Sequence, residues 1–89
     1  MIEEGEVEVF WDVVKDCLEQ IYGIGHAKAA AARAKLRRSV EQELPRDSRA
    51  LFYHAEPIDV ARDLAGKDKD DLSDVDWKKY DSILAHRRW

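Results

Sequence analysis

The sequence predicts an all-α protein, built as a small helical bundle of three to four helices. In several segments apolar residues recur at steps of three and four, which is the period of an amphipathic helix. Strand-like alternation does not extend beyond a few residues. With 89 residues the chain fits a single domain, 1–89. A chain of this length buries roughly 60–65% of its unfolded surface, which is enough for one modest core.

The first predicted helix spans residues 6–22. Its apolar stripe consists of Val7, Phe10, Val14, Cys17 and Ile21, with Trp11 and Leu18 at its edge. Gly23 follows the last turn and predicts a left-handed residue that ends the helix. Ile24 is expected to fold back on that turn, as in a Schellman cap.

The second predicted helix spans residues 26–44 and begins in an alanine-rich segment. At about 100° per residue, one face carries Ala29, Ala32, Leu36 and Val40, and the opposite face carries Ala27, Ala31 and Ala34. Two small-residue faces indicate either that this helix is central or that its second face meets another chain. Pro45 ends the helix.

Two further helices are predicted at 57–65 and 74–88. The third begins at Pro57 and ends at Gly66, with Ile58, Ala61 and Leu64 facing inward. Ser73 and Asp76 have the spacing of a capping box for the fourth. That helix is expected to bury Trp77, Tyr80, Ile83 and Leu84. The apolar segment 48–55 has no decisive period.

Charge is distributed unevenly along the chain, whose net charge is −4. Residues 1–24 hold seven acidic residues and one basic residue, which gives −6, and residues 25–49 hold seven basic and three acidic residues, which gives +4. The first two helices are therefore expected to pair through opposite charges. The alternative is a basic surface for an acidic partner.

Composition indicates a cytoplasmic protein. The chain has one cysteine, Cys17, whereas small secreted domains usually contain several. The first residues are acidic and lack the apolar segment of a signal peptide. No uncharged stretch approaches the roughly 20 residues needed to span a bilayer. We therefore expect no membrane association.

The turn between the first two helices has the sequence Gly23-Ile24-Gly25, and a small residue, Ala29, follows it. This pattern resembles the turn of the helix-hairpin-helix family, whose free amides bind a nucleic-acid phosphate at a helix N-terminus. The resemblance implies sequence-independent nucleic-acid binding through Gly23, Ile24, Gly25, His26, Lys28 and Arg33. The alternative is an ordinary helix cap and tight turn.

No pattern indicates an enzyme. Nucleotide-binding, hydrolase and metalloprotease motifs are absent. Cys17 lies on the apolar stripe, where an inert thiol is expected. His54, Glu56 and Asp59 are the nearest approach to a metal cluster and fall short of a four-ligand site. We therefore predict a non-catalytic protein without metal, cofactor or small-molecule substrate.

The leading functional hypothesis is protein–protein association, with either a second copy of the chain or another protein. An exposed tryptophan is a common anchor in interfaces, and a small-residue face lets two helices approach closely. The candidate contacts are Trp11, Trp89, Ala27, Ala31 and Ala34. For Trp89 the alternative is that it folds back onto its own domain.

Overall fold

The computed structural model describes residues 4–66 and 72–87. Within these ranges the protein is all-α and contains no strand, as predicted. The helices are α1 (Glu4–Gln20), α2 (His26–Glu43), α3 (Arg46–Phe52), α4 (Pro57–Ala65) and α5 (Asp74–Arg87). The predicted range of the third helix matches α4. The predicted starts at 26 and 74 also match, the second helix ends one residue earlier than predicted, and the first is shifted by two residues at both ends. The predicted end at 88 lies outside the described residues, and α3 is an additional helix.

Helix α1 lies at the centre of the fold and packs against α2, α4 and α5. Six of its residues have no accessible surface: Phe10, Trp11, Val13, Val14, Cys17 and Leu18. Of the two alternatives that the sequence left open for α2, the central position is therefore not the one observed. The reason is that α1 is apolar around more than half of its circumference, whereas α2 is apolar on one side and charged or small elsewhere.

The apolar segment 48–55, whose type the sequence left open, contributes most of α3 and the residues that follow it. It packs against α1 through a cluster of four aromatic rings. Trp11 stacks on Phe52 with 5.7 Å between ring centroids. Tyr53 meets Phe10 edge to face at 5.2 Å, and the Trp11 indole N–H donates a hydrogen bond of 3.1 Å to the Tyr53 hydroxyl. Edge-to-face and offset-stacked rings are the favourable arrangements of aromatic pairs. This cluster holds a helix of only seven residues in place.

Helix ends follow the sequence signals. Gly23 and Gly66 both adopt left-handed backbone, with φ of 66° and 70°. Ser73 and Asp76 form the predicted reciprocal capping box: the Asp76 amide donates to the Ser73 hydroxyl at 3.2 Å and the Ser73 amide donates to the Asp76 carboxylate at 3.1 Å. Pro57 is the first residue of α4, as predicted.

Helix α5 rests on α1 with a narrower buried face than the one predicted. Tyr80 and Ile83 are buried, but Trp77 is 46% exposed, so the expectation that Trp77 belongs to the core is wrong. At about 100° per residue Trp77 lies 120° from Ile83 around the helix. It therefore falls at the edge of the contact with α1.

Opposite charges connect the first two helices, as the charge distribution predicted. Arg33 donates to Asp12 at 3.0 Å, and Arg37 donates to Glu8. Arg87 of α5 pairs with the buried Asp16 at 2.8 Å. None of the helices in the described ranges has the length and apolar composition required to cross a bilayer.

Candidate functional site

The side of α2 that faces away from α1 is an exposed surface rich in alanine. Ala27, Ala31 and Ala34 are all exposed on it, whereas Ala29 and Val40 on the opposite side are buried. The first and last of the three alanines are seven positions apart, or about 10 Å along the helix axis. No described residue covers them, so a second helix could approach this side closely.

Three basic side chains share this exposed side, and they differ from the basic residues that face α1. Lys28, Lys35 and Arg38 are exposed and form no ion pair or hydrogen bond with another described residue. We call these six residues the α2 outer face: Ala27, Lys28, Ala31, Ala34, Lys35 and Arg38. On the inner side, Arg33 and Arg37 are both paired with carboxylates of α1. The unpaired basic charge of α2 thus lies on the outer face.

In the turn between α1 and α2, the hydrogen bond that closes the glycine cap spans more residues than in a Schellman motif. The Ile24 amide donates a 2.9 Å hydrogen bond to the carbonyl of Leu18, six residues back, whereas a Schellman motif reaches five residues back. Gly25 is the N-cap of α2 and provides no side-chain hydrogen bond. The first amides of α2 therefore lack a side-chain acceptor.

An acidic residue of α1 lies beside this N-terminus. The Glu19 carboxylate lies 2.8 Å from Nδ1 of His26 and 3.1 Å from the Lys15 ammonium group. Hydrogen bonds from His26 and then from Lys15 lower the pKa of Glu19, so it is charged at neutral pH. A carboxylate in this position repels a phosphate that approaches the turn.

Two of the side chains expected to bind nucleic acid are already engaged by carboxylates of α1. His26 is engaged with Glu19, and Arg33 is engaged with Asp12. Lys28, in the first turn of α2, remains exposed.

Two of the three tryptophans, Trp11 and Trp77, are not placed as the sequence suggested. Trp11 is fully buried, so its predicted exposure at the edge of α1 is wrong and it cannot reach a partner from the surface of this fold. Trp89 lies outside the described residues. Among the described residues, the exposed large apolar side chains are instead Leu51, Val75 and Trp77. Sequence reasoning missed the exposure of Trp77, because it depends on how narrow the contact between α5 and α1 is.

A pocket of about 250 Å³ lies between α1 and α5, lined by Asp16, Gln20, Ser82, Ile83 and His86. Ligand pockets are usually larger, from about 300 to 1,000 Å³. Neither Ser82 nor Asp16 is hydrogen-bonded to His86, and Asp16 is held by Arg87. The pocket therefore lacks the linked nucleophile and base that acyl transfer requires.

Cys17 is buried and the candidate carboxylates Glu56 and Asp59 are engaged, whereas His54 is exposed. Burial, and to a lesser extent the charge of Asp16, raises the pKa of the Cys17 thiol to about 12, which keeps it protonated and unreactive. Glu56 accepts a 2.7 Å hydrogen bond from Tyr80, and Asp59 pairs with Arg62. Residues 4–66 and 72–87 contain no group of three side chains that could hold a metal ion.

Comparison with known proteins adds no functional assignment. No protein-family model matches the chain, and neither a curated protein nor a solved structure shows significant similarity to it.

Proposed function

We propose that this protein is a non-catalytic, cytoplasmic helical bundle that associates with a protein partner through the α2 outer face. The observation that supports the proposal most directly is the exposure of Ala27, Ala31 and Ala34 on one side of an 18-residue helix. Helices in proteins pack 8–10 Å apart, and the shortest separations require small side chains at the contact. The outer face meets that requirement along about two turns.

Charge on the same face supports an interaction role. An alanine that only promotes helix formation needs no particular neighbours. Here the alanines lie next to basic side chains that have no partner among the described residues, whereas those facing α1 are paired. Small residues at the centre of a surface let a second helix approach closely, and charged residues beside them fix its orientation. The α2 outer face has both features.

The test compares tagged baits that differ at single exposed positions. Ala31→Trp places a large ring in the centre of the outer face. Ala85→Trp makes the same change at an exposed position of α5 and is the matched control. Each bait is incubated with an untagged copy of the chain and with lysate from the source organism, and bound proteins are quantified by mass spectrometry.

The proposal predicts a partner, or the untagged copy, that the wild type and Ala85→Trp retain and that Ala31→Trp loses. If all three baits retain the same proteins, or if the wild type retains none, the outer face is not a docking surface. Circular dichroism of each bait establishes that the fold is intact.

A second candidate function is phosphate binding at the Gly23-Ile24-Gly25 turn. The observation in its favour is that Gly25 leaves the first amides of α2 without a side-chain acceptor. Glu19 opposes it. The candidate predicts weak duplex DNA binding that falls steeply with salt and that is strengthened by Glu19→Gln. Binding that ignores both Glu19→Gln and Gly25→Ala excludes this turn.

A further inference from the structure

We infer that the partner of the α2 outer face is an acidic helix of another protein. This inference rests on the proposed docking function and adds the chemistry of the partner. It is carried by the contrast between the two sides of α2: the basic residues on the inner side all face carboxylates, and Lys28, Lys35 and Arg38 on the outer side face none among the described residues.

The inner side of α2 shows how such a helix is bound. Helix α1 runs beside it and presents acidic residues to its basic ones, so that Asp12 meets Arg33 and Glu8 meets Arg37. The partner helix would repeat this arrangement on the opposite side. Helix α2 would then lie between two acidic helices.

The spacing of the outer face specifies the partner further. Lys28 and Lys35 are seven residues apart, about 10.5 Å along the axis, and lie on one flank of the alanines. The partner helix is expected to carry carboxylates about two turns apart on the facing flank and small residues at its centre. Arg38, three residues beyond Lys35, adds a third contact one turn further on.

An antiparallel second copy of the chain fits this face less well. In an antiparallel two-fold dimer both copies use the same surface, and the same flank of each helix lies on the same side of the contact. Lys28 and Lys35 would then meet the lysines of the second copy. Like charges in contact disfavour that arrangement.

Nucleic acid also fits less well. A phosphate backbone makes no use of a small-residue centre, whereas a closely packed helix requires one. The outer face therefore favours a protein helix.

The experiment uses two fluorescein-labelled helical peptides of about 20 residues, near the length of α2. One has an alanine centre with glutamates seven residues apart along one flank, and the other has glutamine in place of each glutamate. Anisotropy titrations are made at low and high salt with the wild type, with the double variant Lys28→Gln and Lys35→Gln, and with Lys78→Glu. The last two change the net charge equally, by −2, and Lys78 is an exposed residue of α5.

We expect the wild type and Lys78→Glu to bind the glutamate peptide alike and more tightly than the glutamine peptide. The double variant should bind the glutamate peptide about two- to thirty-fold more weakly, given the usual strength of two exposed ion pairs. Added salt should reduce this difference.

Three outcomes overturn the inference: no binding of the glutamate peptide, equal binding by the wild type and the double variant, or tighter binding of a duplex DNA of similar length that the double variant loses. The two proposals can fail separately. If the peptide titration fails but the baits still lose a partner with Ala31→Trp, the docking function is retained and only the acidic partner is rejected.

Discussion

The sharpest test of the fold compares Trp11, which is buried, with Trp77, which is exposed. Trp11 has no accessible surface, stacks on Phe52 and donates a hydrogen bond to Tyr53. Truncation of a fully buried tryptophan to alanine costs about 3–5 kcal/mol in the free energy of unfolding, because contacts are lost and a cavity remains. Trp77 is 46% exposed. Its truncation loses about half of the transfer free energy and opens to water, so we expect about 1–2 kcal/mol.

Urea unfolding followed by far-UV circular dichroism measures both values, because the midpoint and slope give the free energy of unfolding. Domains of this size are stable by roughly 5–13 kcal/mol, so Trp11→Ala can abolish folding. In that case Trp11→Phe provides the comparison, with an expected loss of about 1–3 kcal/mol from reduced packing and the missing hydrogen bond. A larger loss for Trp77→Ala than for both Trp11 variants would refute the assignment of core and surface.

Three further predictions concern the turn and the titrating groups. Gly23→Ala should destabilise the protein by about 1–2 kcal/mol because of its left-handed backbone, whereas Gly25→Ala should change stability by less than about 0.5 kcal/mol because the loss of a favourable N-cap is offset by a less flexible unfolded chain. Thermal unfolding of both variants measures the difference. Hydrogen bonding to Arg37 lowers the pKa of Glu8 below its ordinary 4.5, so this carboxylate contributes stability above pH 4.5 that is lost as the pH falls; Glu8→Gln should flatten the acid limb of a plot of stability against pH. Burial raises the pKa of Tyr80 above its ordinary 10.0, so stability is retained below pH 10 and lost as the pH rises further; Tyr80→Phe should make the alkaline limb less steep.

Local sequence signals predicted the helices well. The left-handed glycines, Pro57 and the capping box of Ser73 and Asp76 each determine a helix end through backbone conformation or a hydrogen bond between near neighbours. Such signals need no knowledge of the tertiary fold. The pairing of α1 with α2 was also predictable, because the acidic and basic residues are segregated along the chain.

The packing of the helices against one another was harder to predict from the sequence. Helix α3 depends on ring contacts with Phe10 and Trp11, about forty residues away in the sequence, and its own period is too short to read. The same distant contacts bury Trp11. Trp77 is exposed because only a narrow face of α5 contacts α1. The width of that contact depends on the tertiary fold and cannot be read from the sequence of α5 alone.

The candidate site divides in the same way. The alanines of α2 could be assigned to opposite faces from the helical period alone, and the structure places them so. Which basic residues remain unpaired could not be predicted, because that depends on where Glu8 and Asp12 of α1 come to lie. For the same reason the effect of Glu19 on the turn became evident only from the structure.

The central position of α1 also has a consequence for biosynthesis. Asp16 and its partner Arg87 are 71 residues apart, and at 5–20 residues per second a ribosome needs about 4–14 s to add the intervening chain. During that time the apolar surface of α1 has neither α4 nor α5 to cover it in full. Helix α1 is thus made well before the helices that enclose it, and the nascent chain is expected to be most prone to aggregation and to chaperone binding before α5 emerges.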